Sequence, residues 1–325
     1  MIKLEDQEKK EMIDIIRQAL KPESEFSLAN KPFAGEEKEE SEKFILKPNE
    51  SKQIDKKLEI FTTGTFIDSL FLNGKGEQIG GVPFGIQLGI AGLPDVGKSI
   101  LVQEIALNVC KDRKVLYITS EDVWHTDTAR FDLESRMKEK ADFIYEKVIP
   151  ADERHISKEE FWDLIKENLF VMDTITYSEL NDWFTFVQAY KHCIEKEKID
   201  LVIIDSVTLL DNYRGALKYR LMELAKFNQL NGVTAIFINQ RSSDDWDTYK
   251  MAGGIGIPHG LDSTLIVDYG KAWNSLVKRD LDVKQGTFVR IARLTGCRIS
   301  GFMGNYIEVA ITKEGFLRVV VKPDA

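Results

Sequence analysis

Three cysteines in 325 residues (Cys110, Cys193 and Cys297) are too few and too scattered for a disulfide framework. No C-x-x-C pair offers a zinc site either. Long apolar runs are also missing: nothing approaches the roughly eighteen residues of a membrane-spanning helix. The opening MIKLEDQEKK lacks the apolar stretch of a secretory signal, so a cytoplasmic location with no membrane partner is expected. Positive charge is in deficit, with 44 Lys and Arg against 53 Asp and Glu for a formal net charge of −9. That balance excludes wholesale coating of nucleic acid but leaves room for one local basic groove.

Glycine and aromatic residues are scarce in the first sixty positions, which hold only Gly35, Phe26, Phe33 and Phe44. Of those sixty residues 27 are charged, so little apolar area is available to offset ordering entropy. The expectation is a charged N-terminal arm over 1–60, much of it mobile. Within it, Met12, Ile13, Ile16 and Leu20 recur at helical spacing and predict an amphipathic helix over about 4–20. Such a helix either packs on its own body or docks a neighbour or protein partner. The acidic cluster Glu36 to Glu42 reads as a solvated linker.

From 61 to 325 glycines become frequent and apolar runs alternate with helical patterns. GIQLGIA (85–91), KVLYIT (114–119), LFVMD (169–173), DLVIID (200–205) and VTAIFIN (233–239) predict buried strands. Helices are predicted over 99–110, 178–196 and 216–231, the first amphipathic with Leu101, Ile105, Ala106 and Val109 inward. Continuous apolar strands alternating with helices mean an α/β fold with a mostly parallel sheet sandwiched by helices. Residues 263–320 carry strand patterns without intervening helices, which predicts an antiparallel C-terminal extension.

Gly92-Leu93-Pro94-Asp95-Val96-Gly97-Lys98-Ser99 fits G-x-x-x-x-G-K-[ST], the phosphate-binding P-loop or Walker A pattern. Glycines let backbone N–H groups converge on an anion, and the following helix points its positive pole the same way. The expected nucleotide contacts run through Gly92, Leu93, Pro94, Asp95, Val96, Gly97, Lys98, Ser99 and Ile100. Lys98 would reach the β- and γ-phosphates of ATP and the Ser99 hydroxyl would ligate Mg²⁺. Asp95 is expected to face solvent, where screening keeps its repulsion small. Asp205 ends an apolar strand, as expected of the carboxylate that positions the Mg²⁺ shell. Glu121 follows the strand 114–119 and is a candidate general base for an attacking water, the alternative being a surface acid pair with Asp122 that caps the next helix. Gln240 follows Asn239 at a strand end, where an amide can sense a γ-phosphate; a simple turn-forming Asn is the alternative.

In these motifs the sequence resembles the RecA superfamily of ATPases, in its KaiC-like and RadA/Sms-like branch, over residues 62 to about 320. The resemblance rests on Thr63-Gly64, Phe66-Ile67-Asp68, Gly80-Gly81-Val82-Pro83-Phe84-Gly85, the phosphate loop, Ser120-Glu121-Asp122, Ile203 to Ser206, Asn239-Gln240 and Ala252 to Leu265. It implies a homo-oligomer, a hexameric ring or a filament, with nucleotide between subunits. It also implies Glu121 as general base, Gln240 as switch glutamine and Arg293 as the basic residue reaching a neighbour's γ-phosphate. Thr295 replaces an arginine of the KaiC trans-acting pair, so hydrolysis assisted by Arg293 or Arg298 is expected to be slow. The chain has no cysteine before Cys110, Arg293 to Cys297 reads RLTGC, and Pro258-His259 stands at the phosphoacceptor position. A helicase role and clock-type autophosphorylation therefore do not follow from the resemblance.

Two classes of function stay open: a nucleotide-switched regulatory ATPase acting through protein partners, and a DNA-associated recombinase paralogue or accessory motor. Tyr213, Arg214, Lys218, Tyr219 and Arg220 interleave rings and positive charge, as single-stranded DNA binding needs, although a solvated helix start accounts for them equally. Arg241 to Tyr249 carries Asp244, Asp245 and Asp247 beside Trp246, and three carboxylates there would repel a phosphate backbone.

Overall fold

The computed structural model describes residues 59–128, 132–207, 216–240, 260–271, 281, 284 and 286–320. The expected arm helix over 4–20, the 241–249 loop with Trp246, residues 211–215 and the 252–259 part of the family signature lie outside the described residues.

The strands are β1 (Ile60–Phe61), β2 (Phe71–Leu72), β3 (Val82–Pro83), β4 (Gln87–Gly92), β5 (Val115–Thr119), β6 (Leu169–Asp173), β7 (Leu201–Asp205), β8 (Thr234–Gln240), β9 (Ser263–Lys271), β10 (Phe288–Cys297), β11 (Gly301–Phe302), β12 (Ile307–Ile311) and β13 (Leu317–Val319). Among the described residues the α-helices are α1 (Lys98–Val109), α2 (Leu133–Phe143), α3 (Lys158–Asn168), α4 (Trp183–Glu197) and α5 (Ala216–Asn231). Nine strands form one sheet in the order β13-β12-β10-β9-β4-β8-β7-β5-β6. From β9 to β6 the pairings are parallel, and β9, β10, β12 and β13 pair antiparallel, as the sequence predicts.

Alternation along the buried strands feeds two cores. Leu88, Ile90, Tyr117, Ile203 and Ile236 point to one face, where α1, α2 and α3 bring Leu101, Ile105, Met137 and Trp162. Leu116, Ile118, Val202, Ile204 and Phe237 point to the other, against Phe186, Tyr190, Leu217 and Leu221 of α4 and α5. A parallel sheet covered on both faces is therefore built from continuous apolar strands.

Two helices went unpredicted. Asp132 caps α2 by accepting from the Ser135 amide at 2.8 Å, and Ser157 with Glu160 forms a capping box on α3. The expected amphipathic character of α1 is a correction. Gln103, Glu104 and Asn108 are buried along with its apolar residues, because α2 and β13 cover what would have been the wet side. Each polar group is met: Lys140 Nζ donates to Gln103 at 2.7 Å, Arg318 to Glu104 at 2.6 Å, and Asn108 to the Thr63 carbonyl at 3.0 Å. Asp68 accepts from the amides of Thr63 and Gly64, so the lead-in motif is a turn clamped against α1. Among the described residues no helix is long and apolar enough to cross a membrane.

Candidate functional site

Strands β4, β5, β7 and β8 end on one edge of the sheet. Register pairs Gly92 with Gln240 and Thr119 with Asp205, so the loop after β4 and the acids after β5 and in β7 lie side by side. Ligands of open parallel sheets bind at this carboxyl edge.

All six residues of β4 are buried before the chain turns into α1. The turn uses two left-handed residues, Asp95 at φ 62° and Gly97 at φ 100°. Glycine takes that conformation freely, and aspartate is among the few side chains that tolerate it. Gly92 is needed for another reason: a Cβ there would sit 1.8 Å from the Val267 carbonyl oxygen of β9. Pro94 and Asp95 are exposed and Val96 is buried. No side chain caps α1 at Gly97, so its first amides remain available to an anion.

Lys98 arches back over the loop, its Nζ donating to the carbonyls of Gly92 at 3.1 Å and Leu93 at 2.6 Å. Burial lowers the pKa of its ammonium, opposed by Asp205, Asp268, Glu121 and Asp95. The Ser99 hydroxyl donates to Asp205 Oδ1 at 3.2 Å. Burial pushes the Asp205 carboxyl up to about 6; hydrogen bonds from Tyr117 and Ser99 work against the rise, while Glu121 and Asp122 add to it. Glu121 Oε1 accepts from Ser206 Oγ at 2.8 Å, whereas Asp122 turns to Arg136 at 2.7 Å. Glu121 is exposed, and the two neighbouring acids thus take different partners.

A cavity of about 290 Å³ is lined by Pro94, Asp95, Gly97, Lys98, Ser99, Ile100, Glu121, Asp205, Ser206, Ile238 and Gln240. A second, of about 470 Å³, shares Ser99 and Ile100 with it and extends between α1, α2 and the β12–β13 turn. The donor set fits Mg²⁺: one hydroxyl and one carboxylate, both hard oxygens, meet at the cavity wall, and the buried carboxylate favours a cation.

Arg293 stands apart from this cavity. It lies on β10, its Nε donating to the Gly304 carbonyl at 2.6 Å and its guanidinium 4.9 Å from the Tyr306 ring centre. It lines a separate cavity of about 540 Å³ with Thr295, Cys297 and Arg298. Tyr117 and Ser206 contact the expected acids, a role that no motif assigns to them. Ser206 was in view as the neighbour of Asp205, whereas only the tertiary fold shows what the Tyr117 hydroxyl meets.

A family model described as "ATPase: KaiC" matches residues 55–324. No curated protein matches significantly. Among solved structures, the chain is similar in fold to the KaiC-like protein PH0186 of the hyperthermophilic archaeon Pyrococcus horikoshii OT3, with a TM-score of 0.56. That alignment covers 82% of this chain and 100% of the other at 12% identity, a likeness of fold alone. A phosphate loop and an acid-tipped strand at the carboxyl edge of a mostly parallel sheet agree with the family match over residues 55–324: the chain belongs to the KaiC family of ATPases, in the RecA superfamily.

Proposed function

We propose that the protein binds MgATP in the 290 Å³ cavity, hydrolyses it slowly, and works in the cytoplasm as a nucleotide-dependent switch on protein partners. The observation that carries the reading is the convergence of Lys98, Ser99, Glu121, Asp205 and Gln240 on one cavity beside a free helix N-terminus. Phosphates take the loop amides, and Lys98 exchanges its two carbonyl partners for phosphate oxygens. The adjoining 470 Å³ cavity has room for the base and sugar. Ser99 and Asp205 hold Mg²⁺, which neutralises phosphate charge when bound. Glu121, oriented by Ser206, accepts the proton of the attacking water. Gln240 bonds the γ-phosphate and loses that bond on hydrolysis, which is how nucleotide state is signalled from the site. The site is completed in a homo-oligomer, ring or filament, where Arg293 of one subunit reaches the neighbour's nucleotide.

Two variants test this. Lys98→Ala is expected to abolish ATP binding by equilibrium titration. Glu121→Gln should keep binding while losing 10²-fold or more of phosphate release, the usual order for a general base. Undiminished turnover in Lys98→Ala sinks the reading.

A second reading, single-stranded DNA binding, has one observation in its favour: Tyr219 on the first turn of α5 is 72% exposed with Lys218 Nζ 6.0 Å from its ring centre. Against it, Arg220 is already stacked on Trp183 at 5.0 Å. DNA binding that stimulates hydrolysis and weakens steeply with salt would support this second reading. ATP-dependent recovery of a protein partner, with no DNA binding at low salt, supports the first.

A further inference from the structure

The Asp205 carboxylate is held by two hydroxyls from different elements. Ser99 takes Oδ1, and Tyr117 OH donates to Oδ2 at 2.8 Å in a fully buried contact. The torsion that turns a carboxylate about its own axis is soft, so a single donor would leave the two oxygens free to exchange places. Tyr117 cannot follow such a movement. It sits in the middle of β5, paired with Val171 of β6 and Ile203 of β7, and its side chain has no exposed surface. A phenylalanine would fill the same space, and a buried hydroxyl costs free energy unless it is bonded. Around it, Gln103 adjoins the phenol oxygen while the Gln103 carbonyl accepts from Lys140 Nζ at 2.7 Å. The amide end of Gln103 is thus turned toward the tyrosine, and the phenol's one proton goes to Asp205.

We propose that Tyr117 is a positioning residue for Asp205: by occupying Oδ2 from inside the core, its hydroxyl presents Oδ1 alone, on the Ser99 side, to Mg²⁺. This rests on the MgATP reading of the cavity and adds a residue that the phosphate-loop and strand-end-acid patterns do not contain. The tyrosine makes no contact with nucleotide. It acts through the carboxylate, as partners of metal ligands do when they fix a ligand's orientation.

The test is Tyr117→Phe in the full chain, read by titrating Mg²⁺ against binding of a fluorescent ATP analogue, with Mn²⁺ and electron paramagnetic resonance as a second measure of metal binding. Removing a partner of a metal ligand typically weakens metal binding 10- to 100-fold, so half-saturating Mg²⁺ should rise about tenfold. Analogue binding in EDTA should stay at the wild-type level, and in turnover the change should fall on the Mg²⁺ requirement rather than on kcat. Gln103→Leu, which leaves the tyrosine in place but removes the amide beside it, should shift the Mg²⁺ requirement in the same direction by less. That variant also carries the test if Tyr117→Phe folds poorly. Asp205→Asn separates the two levels of the argument. If it loses the Mg²⁺ dependence while Tyr117→Phe and Gln103→Leu match wild type, the tyrosine is only a satisfied core residue and the proposal is overturned. If Asp205→Asn also leaves the Mg²⁺ dependence intact, the MgATP reading itself fails.

Discussion

At the scale of single residues, the site stores unfavourable terms that a ligand would relieve. The folded Asp205 carboxyl titrates at about 6 against an ordinary 3.8, so between those values the native state binds more protons than the unfolded chain. Its stabilising contribution is complete below the lower value and is lost as pH rises through about 6. Above that, the buried charge costs the metal-free protein on the order of 3 kcal/mol, at about 1.4 kcal/mol per pKa unit. Asp205→Asn keeps an acceptor for Tyr117 without the charge. It is therefore expected to raise the melting temperature of metal-free protein at pH 7.5 and to flatten the loss of stability between pH 4 and 6. Calorimetry across that range checks both, and a variant that melts lower at pH 7.5 contradicts the account. Gly92 carries a steric constraint instead. Gly92→Ala would press a methyl group on the Val267 carbonyl, and urea unfolding should report a loss of about 3 kcal/mol, the upper part of the range for overpacking.

At the scale of elements, α1 is where the pattern of the sequence and the packing part company. Leu101, Ile105, Ala106 and Val109 define an apolar stripe, yet Glu104 on another side is only 1% exposed. What buries it is β13, more than two hundred residues later in the chain, through the Arg318 ion pair at 2.6 Å. Local periodicity cannot see a partner so distant. Arg318→Ala leaves Glu104 buried and uncompensated. The cost should be about 2 kcal/mol, below the usual figure for a broken buried pair because Arg318 is itself part-exposed. Arg318→Ala combined with Glu104→Leu should recover most of that loss in the same unfolding assay. No recovery would mean that the strand's packing, rather than the charge, carries the effect. The two missed helices carried a different signal. Asp132 and Ser157 with Glu160 are capping residues that mark helix starts directly, and behind the second cap Phe161, Trp162 and Ile165 add a clear apolar stripe.

For the whole molecule, the question is which residues complete the site. Arg293 sits in a different cavity from the phosphate loop of its own chain. If it serves a neighbour's nucleotide, Arg293→Ala and Lys98→Ala should each be inactive alone and recover turnover when mixed, because one supplies the arginine and the other an intact loop. Absence of recovery, with light scattering showing that mixed assemblies form on adding ATP, would place the arginine outside catalysis. The net charge of −9 bears on DNA at the same scale. Long-range repulsion makes any DNA contact depend on a local patch such as Lys218 and Tyr219, so the binding assay belongs at low salt.

The sequence by itself determined the architecture and marked the residues of the candidate site. Continuous apolar runs suit only a sheet buried on both faces, and G-x-x-x-x-G-K-S is a local device whose turn, amides and helix start lie within eight residues. The acids at strand ends followed, since in a parallel sheet those ends share one edge. Tertiary structure alone decided how the centre is tuned: Tyr117 on Asp205, Ser206 on Glu121, Val267 against Gly92, and Arg318 beneath the phosphate-loop helix. Each of these joins residues far apart in sequence, through distances of a few ångströms that only the packed fold defines.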